Sequence, residues 1–178
     1  MERHSIRSGH RDELDTLRDI ERRAGAMFAE HDMLAIAQDE PPSVAVLTQY
    51  CDENRLWVAI DSKDQAIGYI IADVIDDNGH IEQVSVDPAY AGKRIGQALI
   101  QAVDKWAVEQ GLRGLTLTTF SHIPWNAPYY RSLGFEEIPS NNLSPGLLNI
   151  RAQEREHGLD QWPRVCMQRR LDHPVDQL

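Results

Sequence analysis

The stretch VSVDPAYAGKRIGQALI, residues 84–100, decides how the rest of the sequence is interpreted. It begins with the alternating pattern of a strand and becomes helical from about Gly92. Gly92 and Gly96 lie four positions apart, with Lys93 and Arg94 between them. The first turn of a helix leaves backbone N–H groups unpaired, and its dipole favours negative charge. Because glycine has no Cβ atom, an anion such as a diphosphate could approach this backbone closely.

The segments on either side of this stretch show strand and helix patterns in mixed order. Strand patterns occur at HSIRSG, RLWVAID, AIGYIIADVID, GHIEQVSVDP, LTLTTF, FEEI and RVCMQRRL, and the last of these resembles an edge strand. Helical spacing runs from Asp12 to Phe28, from Val44 to Tyr50, from Gly92 to just before Gly111, through NAPYYRSLG, and through Ile150 to Glu154. This order predicts one domain over residues 1–178, of α/β or α+β class, with a central mixed sheet flanked by helices.

The overall composition disfavours several classes of protein. The 178 residues include 42% hydrophobic and 26% charged residues, and the net charge is −10. Such acidity argues against nucleic acid and anionic membranes as partners, since both are bound by basic faces. Apolar runs long enough for a membrane span or a signal region are not found. Cys51 and Cys166 are expected to be buried free thiols of a cytoplasmic protein, and the seven histidines lack metal-ligand spacing, so no metal is expected.

Three segments, in this order, resemble the GNAT superfamily of acyl-CoA-dependent N-acetyltransferases. IEQVSVDPAY is similar to the family's fourth strand, AGKRIGQALI to its pyrophosphate loop and following helix, and NAPYYRSLGF to its Y-x-x-L-G-F element. Together with the order of strands and helices, the resemblance covers about residues 5–138. It implies the GNAT fold, acetyl-CoA as cosubstrate, and acetylation of a primary amine by direct attack in a ternary complex.

The resemblance also implies which residues bind acetyl-CoA. The diphosphate is expected at Gly92, Lys93, Arg94, Ile95, Gly96 and Gln97. Main-chain atoms of Val84, Ser85 and Val86 are expected to contact the acetyl-pantetheine arm, with the Val84 N–H as oxyanion donor at a strand bulge. Asn126 is a further candidate, either as a pantetheine contact or as a helix N-cap.

The sequence departs from the family pattern at three positions. Ala91 stands where the family usually has Arg or Gln, Arg94 where it usually has Gly, and Ile123 where an Asn is common. Arg94 is therefore expected to adopt a helix-compatible backbone, and its side chain to replace part of the missing positive charge. These departures keep a second hypothesis open, namely a CoA-binding regulatory or sensor module with little turnover.

Moving an acetyl group from a thioester to an amine requires a base and an acid in addition to the oxyanion donor. Glu82 is the candidate base, because in a regular strand it would share an apolar face with Val84 and Val86, where burial raises a carboxyl pKa. A bulge that exposes Glu82, or a pairing with His80 or a basic residue, is the alternative. By resemblance, Glu82 acts directly or through water, and Tyr130 protonates the leaving thiolate; the alternative for Tyr130 is a packed core residue.

The amine acceptor stays open at this stage. Polyamines, amino acids, aminoglycoside-like drugs and protein N-termini all fit the chemistry, and the net negative charge is compatible with a cationic substrate. A homodimer formed through the C-terminal strands is implied by the resemblance alone.

Overall fold

A seven-stranded mixed sheet organises the fold, which is known from a computed structural model that describes residues 3–172. The strands are β1 (Ser5–Ser8), β2 (Leu56–Ile60), β3 (Ala66–Ile75), β4 (Asn78–Val86), β5 (Gly114–Phe120), β6 (Glu136–Ile138) and β7 (Arg164–Arg170). Their order in the sheet is β1-β2-β3-β4-β5-β7-β6. β4 and β5 pair in parallel, whereas β1 with β2, β2 with β3, β5 with β7, and β6 with β7 are antiparallel. The predicted mixed α/β architecture is confirmed.

Six α-helices accompany the sheet within residues 3–172. They are α1 (Leu14–Gly25), α2 (Leu34–Ala37), α3 (Val44–Asp52), α4 (Ile95–Glu109), α5 (Ala127–Ser132) and α6 (Pro145–Glu156). Helix α4 begins at Ile95 and not at Gly92, because a turn of exposed residues precedes it. The helix predicted to reach Phe28 ends at Gly25 and continues as a 3-10 turn over Ala26–His31.

The described residues fall into two compact units. The first contains the residues up to Ala72 together with Gln83–Val103, and the second contains Asp73–Glu82 together with the residues from Asp104 onward. β3, β4 and α4 each contribute to both units. The expectation of one domain over residues 1–178, whose ends lie outside the described residues, stays a prediction.

The core of the first unit is formed by α1, α3 and strands β2 and β3. Buried apolar side chains make one cluster there: Leu14, Leu17, Ile20, Leu47, Leu56, Val58, Tyr69 and Ile71. The spacing of the α1 members by three residues places them on one helix face, as the sequence predicted. Ser43 caps α3 by accepting a hydrogen bond from the Val46 N–H at 3.2 Å.

In the second unit, the C-terminal strand β7 lies inside the sheet. It pairs with β5 along its whole length and with β6 on its other side. The prediction of an edge strand for RVCMQRRL is therefore wrong, because β6 adds outside it. Cys166 of β7 is buried, as predicted, together with Ile138 of β6 and Leu147 of α6. Cys51 in the first unit was also predicted to be buried, but it is half-buried.

The turn between β3 and β4 is tight and is bound to the start of α6. Asp76 and Asp77 both adopt left-handed backbones, with φ of 49° and 64°. Two such residues make a hairpin turn whose twist matches antiparallel strands, and aspartate tolerates this conformation better than most residues do. The Asp76 carboxylate also accepts a hydrogen bond from the Gly146 N–H at 2.7 Å. A Cβ atom on Gly146 would lie 2.4 Å from that carboxylate, so this contact requires glycine.

The close pairing of β5 and β7 leads to a stability prediction. We expect Gly114→Ala to lower the free energy of unfolding by about 1–3 kcal/mol. A Cβ atom there would lie 2.7 Å from the main-chain oxygen of Arg169, so the two strands would have to shift apart.

Gly25→Ala is the matched control for this substitution. Gly25 has a helical φ of −66°, and a Cβ atom would meet nothing within 4 Å. Alanine should therefore be neutral or stabilise the protein by up to about 1 kcal/mol. Urea denaturation followed by circular dichroism measures both variants, and equal unfolding midpoints for the two would contradict the close approach at Gly114.

Candidate active site

Glu82, the predicted base, lies on β4 just after a segment that is buried on both faces. Gly79, His80 and Ile81 are consecutive buried residues, whereas 47% of the Glu82 side chain is exposed. Glu82 was expected on a buried apolar face of an alternating strand, but burial does not alternate here and Glu82 is partly exposed. The side chains that change its pKa are charged. These charged side chains come from other elements of the second unit. They are distant in sequence, so the strand pattern around Glu82 could not predict them.

The environment of Glu82 favours its protonated form. Burial raises the pKa of Glu82 to about 6, and the negative charges of Asp73 on β3 and Glu154 on α6 act in the same direction, against the opposing charge of Arg164 on β7. A pKa of about 6 lies near the pH at which a general base works best. At neutral pH most molecules hold Glu82 as a carboxylate.

His80 lies beside Glu82 as a buried neutral side chain. Only 2% of it is exposed, its Nδ1 is 2.9 Å from the Thr116 hydroxyl oxygen, and its Nε2 is 3.9 Å from a carboxylate oxygen of Glu82. Burial lowers the pKa of His80, although Asp73 and Glu154 oppose this. From the sequence, His80 was predicted only as a possible ion-pair partner of Glu82. Its position two residues before Glu82, on the same strand face, was the available signal.

Glu154 lies in a hydrogen-bonded network of the same unit, and this network favours its carboxylate form. It accepts hydrogen bonds from the Thr118 hydroxyl at 2.6 Å and from the guanidinium groups of Arg151 and Arg164 at 2.8 Å each. Burial opposes its ionisation, but Arg164 and these hydrogen bonds together lower the pKa of Glu154. Arg164 is itself 9% exposed and stacks over the Phe120 ring at 4.4 Å. None of these residues was singled out from the sequence.

Tyr130, the predicted acid, is buried on α5. Its ring packs edge-on against Tyr129 at 5.4 Å and Phe135 at 5.9 Å between ring centres. Burial, with a smaller effect of Tyr129, raises the pKa of Tyr130, so its hydroxyl keeps its proton at neutral pH. A protonated phenol is the form that a proton donor needs.

Asn126 precedes α5 but does not cap the helix with its side chain. Its side-chain oxygen accepts a hydrogen bond from the Phe120 N–H at 3.3 Å instead, which closes the loop after β5. Asn126 does hold the N-cap position of α5, because its main-chain oxygen accepts a hydrogen bond from the Tyr130 N–H at 3.0 Å, but its side chain is turned towards the end of the preceding strand and does not cap the helix. A contact with pantetheine stays a prediction.

In the first unit, the turn before α4 exposes its backbone as far as Arg94. Gly92 has a φ of 78°, and a Cβ atom there would meet nothing within 4 Å. Lys93 and Arg94 are exposed, and the Lys93 ammonium lies over the Tyr90 ring at 5.2 Å. Arg94 has a φ of 57°, which corrects the expectation of a helix-compatible backbone. The chain needs a left-handed residue at this point, and this explains why glycine suits the position.

The remaining predicted contacts lie on the first turn of α4 and at the end of β4. Ile95 is buried in the core, so only its main chain could meet a ligand, while Gly96 and Gln97 are half-buried. Ser85 is also buried, and its hydroxyl accepts a hydrogen bond from the Gln83 amide at 2.9 Å. Val84 and Val86 are half-buried. The bulge expected at Val84 stays a prediction.

The left-handed Arg94 leads to a second stability prediction. Arg94→Gly should raise the free energy of unfolding by about 1 kcal/mol. A left-handed backbone costs a residue with a Cβ atom about 1–2 kcal/mol, and glycine avoids this cost. Part of the gain is lost because glycine has more conformational freedom in the unfolded chain. Arg94→Ala removes the same side chain but keeps the strain, so it should not stabilise. Chemical denaturation distinguishes the two variants, and equal stabilities would contradict the strain.

Over residues 3–172, no group of three or more His, Cys, Asp and Glu side chains is placed to hold a metal ion. No helix in that range is both long enough and apolar enough to cross a membrane.

Comparison with known proteins identifies the family. An acetyltransferase of the GNAT family from Staphylococcus aureus Mu50 matches with 17% identity over 96% of this chain and 100% of its own, with a TM-score of 0.71. The ribosomal-protein-S18-alanine N-acetyltransferase of Escherichia coli matches with 17% identity over 99% of both chains and a TM-score of 0.64. The PaiA N-acetyltransferase of Thermoplasma acidophilum, solved in complex with coenzyme A, matches with 16% identity over 94% of this chain and 99% of its own, with a TM-score of 0.68.

These structures share the fold. The family model described as "Acetyltransferase (GNAT) family" matches residues 15–135. The matched segment includes the β4 carboxylate, the turn before α4 and the tyrosine of α5. The resemblance found in the sequence is therefore confirmed: the chain belongs to the GNAT family and is an acyltransferase of the acetyltransferase type.

Proposed function

We propose that this enzyme transfers an acetyl group from acetyl-CoA to a primary amine of a small molecule or peptide, by direct attack in a ternary complex. The observation that carries the proposal is Glu82, a partly exposed carboxylate on β4 whose pKa is raised to about 6. Glu82 lies two residues before Val84. By family resemblance, the main-chain N–H of Val84 is expected to contact the thioester. A base and an oxyanion donor thus follow each other on one strand.

The turn before α4 fits a diphosphate in three respects. It has open space at Gly92, exposed positive charge at Lys93 and Arg94, and the N–H groups of a helix first turn from Ile95 to Gln97. The similar Thermoplasma acidophilum structure contains coenzyme A, which supports the same ligand class here. We assign the diphosphate to Gly92–Gln97 and the acetyl-pantetheine arm to the main chain of Val84, Ser85 and Val86, with Asn126 as an additional contact.

In the proposed reaction, Glu82 takes a proton from the amine, directly or through water. The amine nitrogen then forms a bond to the thioester carbonyl carbon, and the N–H of Val84 donates to the oxygen as negative charge develops on it. The carbon–sulfur bond breaks, and Tyr130 donates a proton to the leaving thiolate. The second proton lost from the nitrogen restores Tyr130, and Glu82 passes the first to solvent. Asp73 and Glu154 add negative charge near Glu82, which favours a positively charged amine as the acceptor.

The test is to incubate the purified protein with acetyl-CoA and a panel of amines. The panel contains polyamines, amino acids, an aminoglycoside and peptides with free N-termini. We expect thiol release that depends on the amine, together with an acetylated product detected by mass spectrometry. Thiol release no faster than in the amine-free control, for every acceptor, would contradict the proposal.

A CoA-binding regulatory or sensor module is the second candidate, favoured by the departures at Ala91 and Arg94. It predicts that acetyl-CoA binds measurably by calorimetry while no amine releases thiol. A cytoplasmic location and a homodimer belong to the proposal as expectations from the sequence and the resemblance. Sedimentation at several protein concentrations tests the dimer.

A further inference from the structure

We propose that His80 is a positioning residue for the base, with Thr116 fixing its tautomer so that the Nε2–H faces the carboxylate of Glu82. The catalytic consequence rests on the proposed function, whereas the hydrogen-bonding arrangement can be tested without it. All three residues belong to the second unit.

The strand register brings the three side chains together. β4 and β5 run in parallel, with His80 paired to Thr116. Glu82 lies two residues further along β4, and side chains two apart in a strand share a face. The pairing places Nδ1 2.9 Å from the Thr116 hydroxyl and leaves Nε2 as the ring nitrogen nearer to Glu82.

The charges around the ring select the tautomer. His80 is buried and neutral, so one ring nitrogen carries a proton and the other accepts one. The Glu82 carboxylate lies 3.9 Å from Nε2, and its negative charge favours a ring N–H on that nitrogen. The Thr116 hydroxyl can donate to a lone pair at Nδ1, which leaves the proton on Nε2, the nitrogen nearer to Glu82.

The distance from Nε2 to Glu82, 3.9 Å, is longer than a hydrogen bond. Because almost half of the Glu82 side chain is exposed, a movement of about 1 Å by the carboxylate would bring it within range. The His80 donor would then stabilise the ionised base and offset part of the effect of Asp73 and Glu154, as Arg164 already does.

The first experiment determines the protonation state of His80 by long-range ¹H–¹⁵N spectroscopy on the intact protein at neutral pH. We expect the Nε2–H tautomer in the wild type and a changed tautomer population in Thr116→Val, which removes the hydroxyl while keeping its volume. Thr119→Val is the matched control, because Thr119 is also buried on β5 but lies on the opposite face. An Nδ1–H tautomer in the wild type would overturn the inference.

The second experiment titrates the Glu82 carboxyl by ¹³C spectroscopy, without substrate, in four variants. His80→Leu and Thr116→Val should raise the Glu82 pKa by up to about one pH unit, as expected for the loss of a donor to a charged group. His80→Gln, which keeps an N–H donor, should restore most of the wild-type value, and Thr119→Val should not change it. An unchanged or lower Glu82 pKa in both His80→Leu and Thr116→Val would also overturn the inference.

If the enzyme turns over, the acidic limb of its kcat/KM profile should move to higher pH by the same amount in His80→Leu and Thr116→Val. The limb should return in His80→Gln, which a purely structural role would not predict. If no amine is acetylated while the spectroscopic shifts appear as expected, the proposed function fails and the positioning of Glu82 by His80 stands. Should His80→Leu not fold, Thr116→Val carries the test.

Discussion

Replacement of Glu82 by glutamine should reduce kcat/KM for acetyl transfer by about 10²–10⁴-fold, the usual contribution of a general base. Glutamine keeps the size of the side chain but cannot accept the proton of the amine. In the wild type, kcat/KM should rise as pH increases through about 6 and then level off, because the base acts in its deprotonated form. This enzyme-derived limb should be missing in Glu82→Gln. Initial rates of thiol release from pH 5 to pH 9 measure both effects.

Glu137→Gln is the matched control for this loss. Glu137 is also a partly exposed strand carboxylate, on β6, and it forms a long ion pair with Arg131 at 3.9 Å. Its replacement should leave the rate and the pH profile unchanged. If Glu82→Gln retained full activity with an unaltered acidic limb, another group would have to be the base and the assignment to Glu82 would be wrong.

Tyr130→Phe should lower kcat by about 10²-fold while leaving the affinity for acetyl-CoA unchanged. The phenylalanine ring can keep the edge-on contacts with Tyr129 and Phe135, so the fold of α5 should survive. What is lost is the hydroxyl that, in the proposed reaction, protonates the thiolate. Because burial raises the pKa of Tyr130, loss of its proton should not produce an alkaline limb between pH 7 and pH 9.

The neighbouring Tyr129→Phe provides the comparison. Tyr129 follows the same loop but points about 100° away around the helix, so its hydroxyl should be dispensable. Steady-state kinetics with the best amine, and calorimetry with acetyl-CoA, separate turnover from binding for both variants. A Tyr130→Phe enzyme as fast as Tyr129→Phe would leave Tyr130 as a packing residue, the alternative weighed from the sequence.

Most helices and strands could be predicted because their apolar periodicity is local. Leu14, Leu17 and Ile20 repeat at helical spacing and are buried together. The position of β7 inside the sheet could not be predicted, since it depends on β6 pairing with it from a segment about 30 residues earlier. Likewise, α4 begins after Arg94, which has a left-handed backbone. This conformation could not be predicted, because it favours glycine and the sequence has arginine there.

The candidate site was predictable where the family motif reaches and not beyond it. Glu82, Tyr130 and Gly92–Gln97 follow from short motifs with fixed spacing. The groups that set the proton affinity of Glu82 come from β3, α6 and β7, and only the folded chain brings them together. The hydrogen-bond partner of His80, Thr116, lies 36 positions away, so the strand pattern around His80 could not predict this contact.

The aspartate pair between β3 and β4 has a practical consequence for protein engineering. Exposed hairpin tips usually accept inserted tags or linkers, because few other parts of a protein depend on them. Here Asp76 both shapes the tip and binds the first turn of α6, the helix that ends two residues after Glu154. Lengthening this hairpin should therefore disturb the acidic surroundings of the base, and epitope tags or circular-permutation breakpoints are better placed elsewhere.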